Sequence, residues 1–101
     1  MEHQITVTQE AVKVRVIGRL SSEAAESLGQ ELMTYVEKKH GTYVIDMSEL
    51  SYIGSAGIGI LISLNKHARS LGGSLTVVGA RGHIRDLFEM TMMNKLFKIE
   101  E

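Results

Sequence analysis

Between residues 42 and 78 the chain changes period twice. Residues 42–46, Thr-Tyr-Val-Ile-Asp, are rich in β-branched and aromatic side chains, with apolar residues standing side by side. From Ser55 to about Leu71, the residues Ile58, Leu61, Leu64, Ala68 and Leu71 fall at steps of three and four, the spacing of one helix face. Residues 74–78, Ser-Leu-Thr-Val-Val, then return to a β pattern, after Gly72-Gly73 ends the helix. Strand, helix and strand in that order require a crossover connection, which makes the two strands parallel. The adjacent Val44 and Ile45 predict a central strand buried on both faces, with helices covering the sheet.

The flanking segments extend this unit. Ile5 and Val7, then Val12, Val14 and Val16, alternate with Thr6, Thr8, Lys13 and Arg15, the period of two strands with one buried face. Gln9-Glu10 is a short connection, which predicts an antiparallel hairpin. Ser21 or Ser22, followed by Glu23 and Glu26, reads as a helix start. Ala25, Leu28, Leu32 and Val36 form its buried stripe, and Lys38-Lys39-His40 with Gly41 suits its C-terminal end. Ile84, Leu87, Phe88 and Thr91 mark a third helix, with Asn94 at its end, and residues 96–99 a short final strand. The order ββαβαβα(β) predicts an α/β domain with a mixed sheet of about four to five strands and three to four helices.

Length and composition set the limits. At 101 residues and 44 % hydrophobic, residues 1–101 suffice for a single domain with one core and no metal or disulfide staple. A net charge of −1 gives no electrostatic case for nucleic acid or an anionic membrane. There is no cysteine, so disulfides and cysteine zinc sites are excluded. Histidines 3, 40, 67 and 83 have no i, i+4 pairing, which argues against a metal site. The start of the chain does not read as a signal peptide. The apolar stretch 58–64 is interrupted by Gly59 and Ser63 and is too short to span a bilayer. These features predict a cytoplasmic protein without membrane insertion.

The chemistry concentrates in residues 44–59. An apolar strand stops at Asp46, a short polar connection follows, and Ser55 stands at the start of an apolar helix. A hydroxyl there lies beside unpaired backbone N–H groups and the positive end of the helix dipole. Three roles are open to it: helix cap, nucleophile or phosphate acceptor. A nucleophile elbow needs Gly-x-Ser-x-Gly, but position 53 is Ile. His67 lies about three turns along the same helix, about 18 Å away, and neither it nor His83 carries a motif. A serine hydrolase is thus a remote alternative, and the chain is not read as an enzyme. Gly54-x-x-Gly57-x-Gly59 lacks both the dinucleotide order and the Gly-Lys-Ser/Thr of a P-loop, so no cofactor is predicted. Met90, Met92 and Met93 read either as an adaptable contact surface or as the core-filling end of the last helix.

Four landmarks, in order, carry a resemblance. They are Val16-Ile17-Gly18-Arg19-Leu20-Ser21, Val44-Ile45-Asp46-Met47-Ser48, Tyr52-Ile53-Gly54-Ser55-Ala56-Gly57-Ile58-Gly59, and Ile84-Arg85-Asp86-Leu87-Phe88-Glu89-Met90-Thr91 followed by Lys95-Leu96-Phe97. Together they resemble the STAS-domain family, in particular its single-domain bacterial anti-sigma-factor antagonists. They match, respectively, the Gly-x-Leu-Asp turn, the strand ending in Asp-x-Ser, the Asp-Ser-Ser/Thr-Gly-Leu-Gly phosphorylation loop, and the last helix with its tail.

The resemblance implies that Ser55 is phosphorylated by a partner anti-sigma factor acting as an ATP-using serine kinase. The unphosphorylated form would bind that partner, and a serine phosphatase would reset the phosphorylated one. It also implies a partner-binding surface of Ser21, Asp46, Gly54, Ala56, Gly57 and Ile58, on a chain that is a monomer when free. Gly54 and Ser21 stand where the family usually has Asp, and Ala56 replaces a second hydroxyl. Met92-Met93 replaces a Gly turn in the tail. The alternative within the same fold is a non-phosphorylated STAS subunit of a membrane transport or signalling assembly.

Overall fold

The computed structural model describes residues 2–100. Strands β1 (Glu2–Val7) and β2 (Val12–Leu20) form an antiparallel hairpin with Val7 opposite Val12 and Ile5 opposite Val14. The turn is held by Thr8, whose Oγ1 accepts from Glu10 N at 3.3 Å and Ala11 N at 3.1 Å. Then follow α1 (Ser22–Glu37), β3 (Thr42–Ile53), α2 (Ser55–Ser70), β4 (Ser74–Val78), α3 (Gly82–Met90), a 3-10 turn at Met93–Lys95, and β5 (Lys98–Glu100). The sheet order is β1-β2-β3-β4-β5, with every pair but the hairpin parallel. This is the mixed α/β sheet predicted, with five strands and three α-helices among the described residues, and β3 at its centre.

Burial corrects the expectation of two covered faces. Val12, Val14 and Val16 on β2 and Tyr43, Ile45 and Met47 on β3 are almost completely buried. They share one core with Leu28 and Leu32 of α1, Leu61 and Leu64 of α2, and Ile84 and Phe88 of α3. The alternate positions are different: Lys13 and Arg15 are exposed, and Val44 and Asp46 are half-buried. They line an open trough with Gln4 and Thr6 on the opposite face. Adjacent Val44 and Ile45 therefore reflect one buried and one half-covered face.

β3 is also longer than its apolar run. It does not stop at Asp46 but continues to Ile53, because β2 stays hydrogen-bonded beside it. Arg15 pairs with Asp46 but Ile17 with Glu49, and Gly18 pairs with Leu50 but Arg19 with Tyr52. At each step β3 takes one more residue than β2. Such bulges break the period-two pattern that a sequence reading relies on.

Three element ends differ from expectation. α1 stops at Glu37, and the left-handed residue after it is Lys39 (φ 69°), not Gly41. α3 stops at Met90, with Met92 left-handed (φ 59°), while Asn94 lies within the 3-10 turn. The final strand is Lys98–Glu100 rather than residues 96–99. Of the three methionines there, Met93 is buried, whereas Met90 and Met92 are exposed. Asn65 of α2 is buried and donates its Nδ2 to Leu96 O at 3.1 Å, tying the tail to the helix layer.

Candidate functional site at the start of helix α2

Strands β2 and β3 end together, with Leu20 opposite Ile53. Each turns directly into a helix. Ser21 is the N-cap of α1, and its Oγ accepts from Ala24 N at 3.4 Å. One strand over, Gly54 is the N-cap of α2, its backbone extended at φ −98°, ψ −179°, with no side-chain cap bond. Gly54 N donates to Leu20 O at 3.2 Å, so the two helix starts are stitched together through the ends of their strands. Glu23 lies in the first turn of α1, and α2 has no acid in its first turn.

Ser55 is the first residue of α2 and is exposed. This corrects the capping reading. The cap position belongs to Gly54, which has no side chain to offer, so the serine hydroxyl is not the group that closes the helix end. Ala56 and Ile58 are half-buried and rest against the core, and Gly57 is buried. Ser21, Gly54, Ser55, Ala56, Gly57 and Ile58 therefore stand close together along two joined strand–helix turns.

Asp46 is not among them. It faces the trough side of β3, seven residues before Ile53, on the order of 20 Å away at the rise of a strand. There its Oδ1 accepts from Ser48 N at 2.9 Å and its Oδ2 from Arg15 Nε at 3.4 Å. Burial alone would push this carboxyl up. The Ser48 hydrogen bonds and the Arg15 charge outweigh that effect and hold it below the usual carboxylate range. Arg15 also reaches Glu49 Oε2 at 3.7 Å.

Two residues not singled out from the sequence stand beside the site. The Arg19 guanidinium carbon lies 4.3 Å from the centre of the Tyr52 ring, and both side chains are exposed. Arg19 belongs to the Gly-Arg-Leu-Ser turn and Tyr52 heads the glycine loop, but their meeting depends on the bulged β2–β3 register. Two of the histidines are held by partners away from Ser55, and a third lies far along α2. His3 Nε2 lies 2.6 Å from Glu31, His40 packs edge-on against Tyr35, and His67 is twelve residues along α2 from Ser55.

A family model described as "Mlab, STAS domain" matches residues 3–99. Among curated relatives, the "Putative anti-sigma factor antagonist BtrV" of Bordetella bronchiseptica is 32 % identical over 82 residues, covering 81 % of this chain and 71 % of that protein. An anti-sigma factor antagonist structure from Mycobacterium paratuberculosis is 26 % identical with a TM-score of 0.85, covering 98 % of this chain and 84 % of that one. The fold is shared with SpoIIAA in its unphosphorylated form (TM-score 0.79, 22 % identity, 88 % of this chain and 83 % of that one). It is shared equally with the phosphorylated form of Bacillus SpoIIAA (TM-score 0.81, 20 % identity, 97 % and 90 % covered).

Proposed function

This chain belongs to the STAS-domain family, and from that we propose that it is a phosphorylation-switched antagonist of an anti-sigma factor. As the free hydroxyl at Ser55, it binds a partner that is both anti-sigma factor and ATP-using serine kinase. Phosphoryl transfer forms a bond from Ser55 Oγ to the γ-phosphorus and breaks the bond to the β-phosphate oxygen. The hydroxyl proton leaves to a base on the kinase, and ADP departs. A serine phosphatase resets the switch by hydrolysis. Such a chain works in the cytoplasm, where the ATP and the transcription machinery are.

The observation that carries this reading is the exposure of Ser55 at the first position of α2, behind a glycine cap. The hydroxyl stands clear of the core, and Gly54 adds no bulk beside it. Phosphorylation adds about −1.5 to −2 charges and three strong acceptor oxygens. The helix dipole favours a negative group there by roughly 0.3–1 kcal/mol, so the fold tolerates the modification. At a packed interface the sign reverses. Burying an unpaired dianion costs several kcal/mol, and about 1.4 kcal/mol already weakens binding tenfold. Ser21, Gly54, Ala56, Gly57 and Ile58 would form the docking surface around the switch, while Asp46 would support β3 from the other face.

Intact-mass analysis of the protein isolated from its own cells tests the modification, with an 80 Da addition mapped to Ser55 as the expected result. Affinity capture with the parent, Ser55→Ala and Ser55→Glu chains tests the switch. The Glu variant is expected to bind the captured kinase at least tenfold more weakly than the other two. Absence of the addition in every growth condition, together with equal binding by all three chains, would overturn the proposal.

A further inference from the structure

Arg19 and Tyr52 occupy opposed positions in the β2–β3 pairing, one step before the strands end at Leu20 and Ile53. The guanidinium lies over the ring, 4.3 Å from its centre, on an exposed surface. Tyr52 extends forward from there. Its hydroxyl comes within 3.1 Å of where a Cβ on Gly54 would stand. The ring therefore spans the space between the Arg19 charge and the residue immediately before Ser55. The Gly54 N to Leu20 O hydrogen bond holds the two segments at this spacing.

We propose that Arg19 is the internal counter-charge of a phosphate on Ser55, resting on Tyr52 while the serine is unmodified and moving to the phosphate once it is added. The inference rests on reading Ser55 as the phosphoacceptor and concerns what the modified site does next. A solvent-exposed cation–π contact is a weak hold on a guanidinium. A phosphate dianion offers paired, charge-assisted hydrogen bonds that match the planar fork of an arginine. Position 54 is permissive for the transfer. An acidic side chain there would compete for the guanidinium and crowd the Tyr52 hydroxyl, whereas glycine does neither. Phosphorylation then changes the surface twice: it neutralises Arg19 and uncovers the Tyr52 ring.

The test uses the full chain with phosphoserine placed at position 55 during translation, in the parent, Arg19→Gln and Arg19→Lys backgrounds. Titration followed by 31P NMR is expected to show the second phosphate ionisation of the parent lying roughly 0.5 pH unit below that of Arg19→Gln, about a threefold change in proton affinity. Arg19→Lys should fall between the two. Glu23, in the first turn of α1, is present in every variant, so its field cancels in the comparison. Nitration of Tyr52 by tetranitromethane, read by peptide mass, should rise on phosphorylation in the parent and stay level in Arg19→Gln. Coincident phosphate titrations in the three backgrounds, or Tyr52 reactivity indifferent to the phosphate, would overturn the inference. Because the phosphoserine is supplied during translation, failure to find the modification in cells would count against the proposed function and leave this test intact.

Discussion

Gly57 meets Leu20 where a methyl group has no room: a Cβ on Gly57 would lie 2.9 Å from Leu20 Cδ2 and 2.8 Å from Ile53 Cγ1. Both neighbours are buried, so neither can swing away freely. Gly57→Ala gains helix propensity of up to about 1 kcal/mol but meets an overpacking cost of roughly 1–3 kcal/mol. The expected net effect is a loss of about 1 kcal/mol in urea unfolding, with the start of α2 displaced from the sheet. A variant as stable as the parent would show that the two side chains relax more easily than their packing indicates.

Gly59, two residues on, makes the opposite case. It is exposed, and a Cβ there meets nothing within 4 Å. Gly59→Ala should stabilise the protein by about 0.5–1 kcal/mol, since it removes backbone freedom from the unfolded chain without a clash. For a domain of this size that corresponds to a rise of roughly 4 °C in Tm, measurable by calorimetry. A fall in Tm would mean the position is constrained by something other than space.

Asp46 sets a pH dependence. Its folded-state pKa is depressed below the unfolded value of about 3.9. Stability from its ionised form is therefore complete above that value and is lost as pH falls through the folded pKa. Asp46→Asn should be less stable than the parent at pH 7, and the gap between the two urea midpoints should close as the pH falls below the unfolded value and through the depressed folded pKa. A gap that stays constant over that range would assign the effect to lost packing rather than to charge.

Ser21 caps α1 through a long hydrogen bond of 3.4 Å to Ala24 N. Ser21→Ala should cost about 0.5–1 kcal/mol, the lower part of the range for cap removal. Ser21→Asp should restore that loss, because a carboxylate both caps the helix and complements its dipole. Chemical denaturation of the three chains checks the order, and an Asp variant less stable than the Ala variant would contradict it.

Much of this architecture can be read along the chain. The hairpin, the three helices and the parallel β3–β4 crossover follow from periods of two and 3.6 within single segments. So does the start of α1, although Ser21 and Ser22 are equally good caps along the chain and the folded backbone selects Ser21. The cap of α2 misleads by one residue. Ser55 is the better capping side chain, yet Gly54 takes the position, because β2 holds β3 extended as far as Ile53 and Leu20 O takes the Gly54 N–H. The ends of α1 and α3 are misread for a related reason. Left-handed residues fall there on non-glycine side chains, while nearby Gly41 and Asn94 serve other positions.

The kinds of element, their order and the place of Ser55 at the head of an apolar helix are all written in the residues along the chain. These depend on residues within a few turns of each other, and local sterics and hydrophobic spacing are enough to specify them. How far β3 runs, which sheet face is closed, that Asp46 lies far from Ser55, and that Arg19 rests on Tyr52 beside it emerge only once the strands pair. Each of those is a matter of register between segments some thirty residues apart. Two bulges reset that register, and the period of neither strand records them.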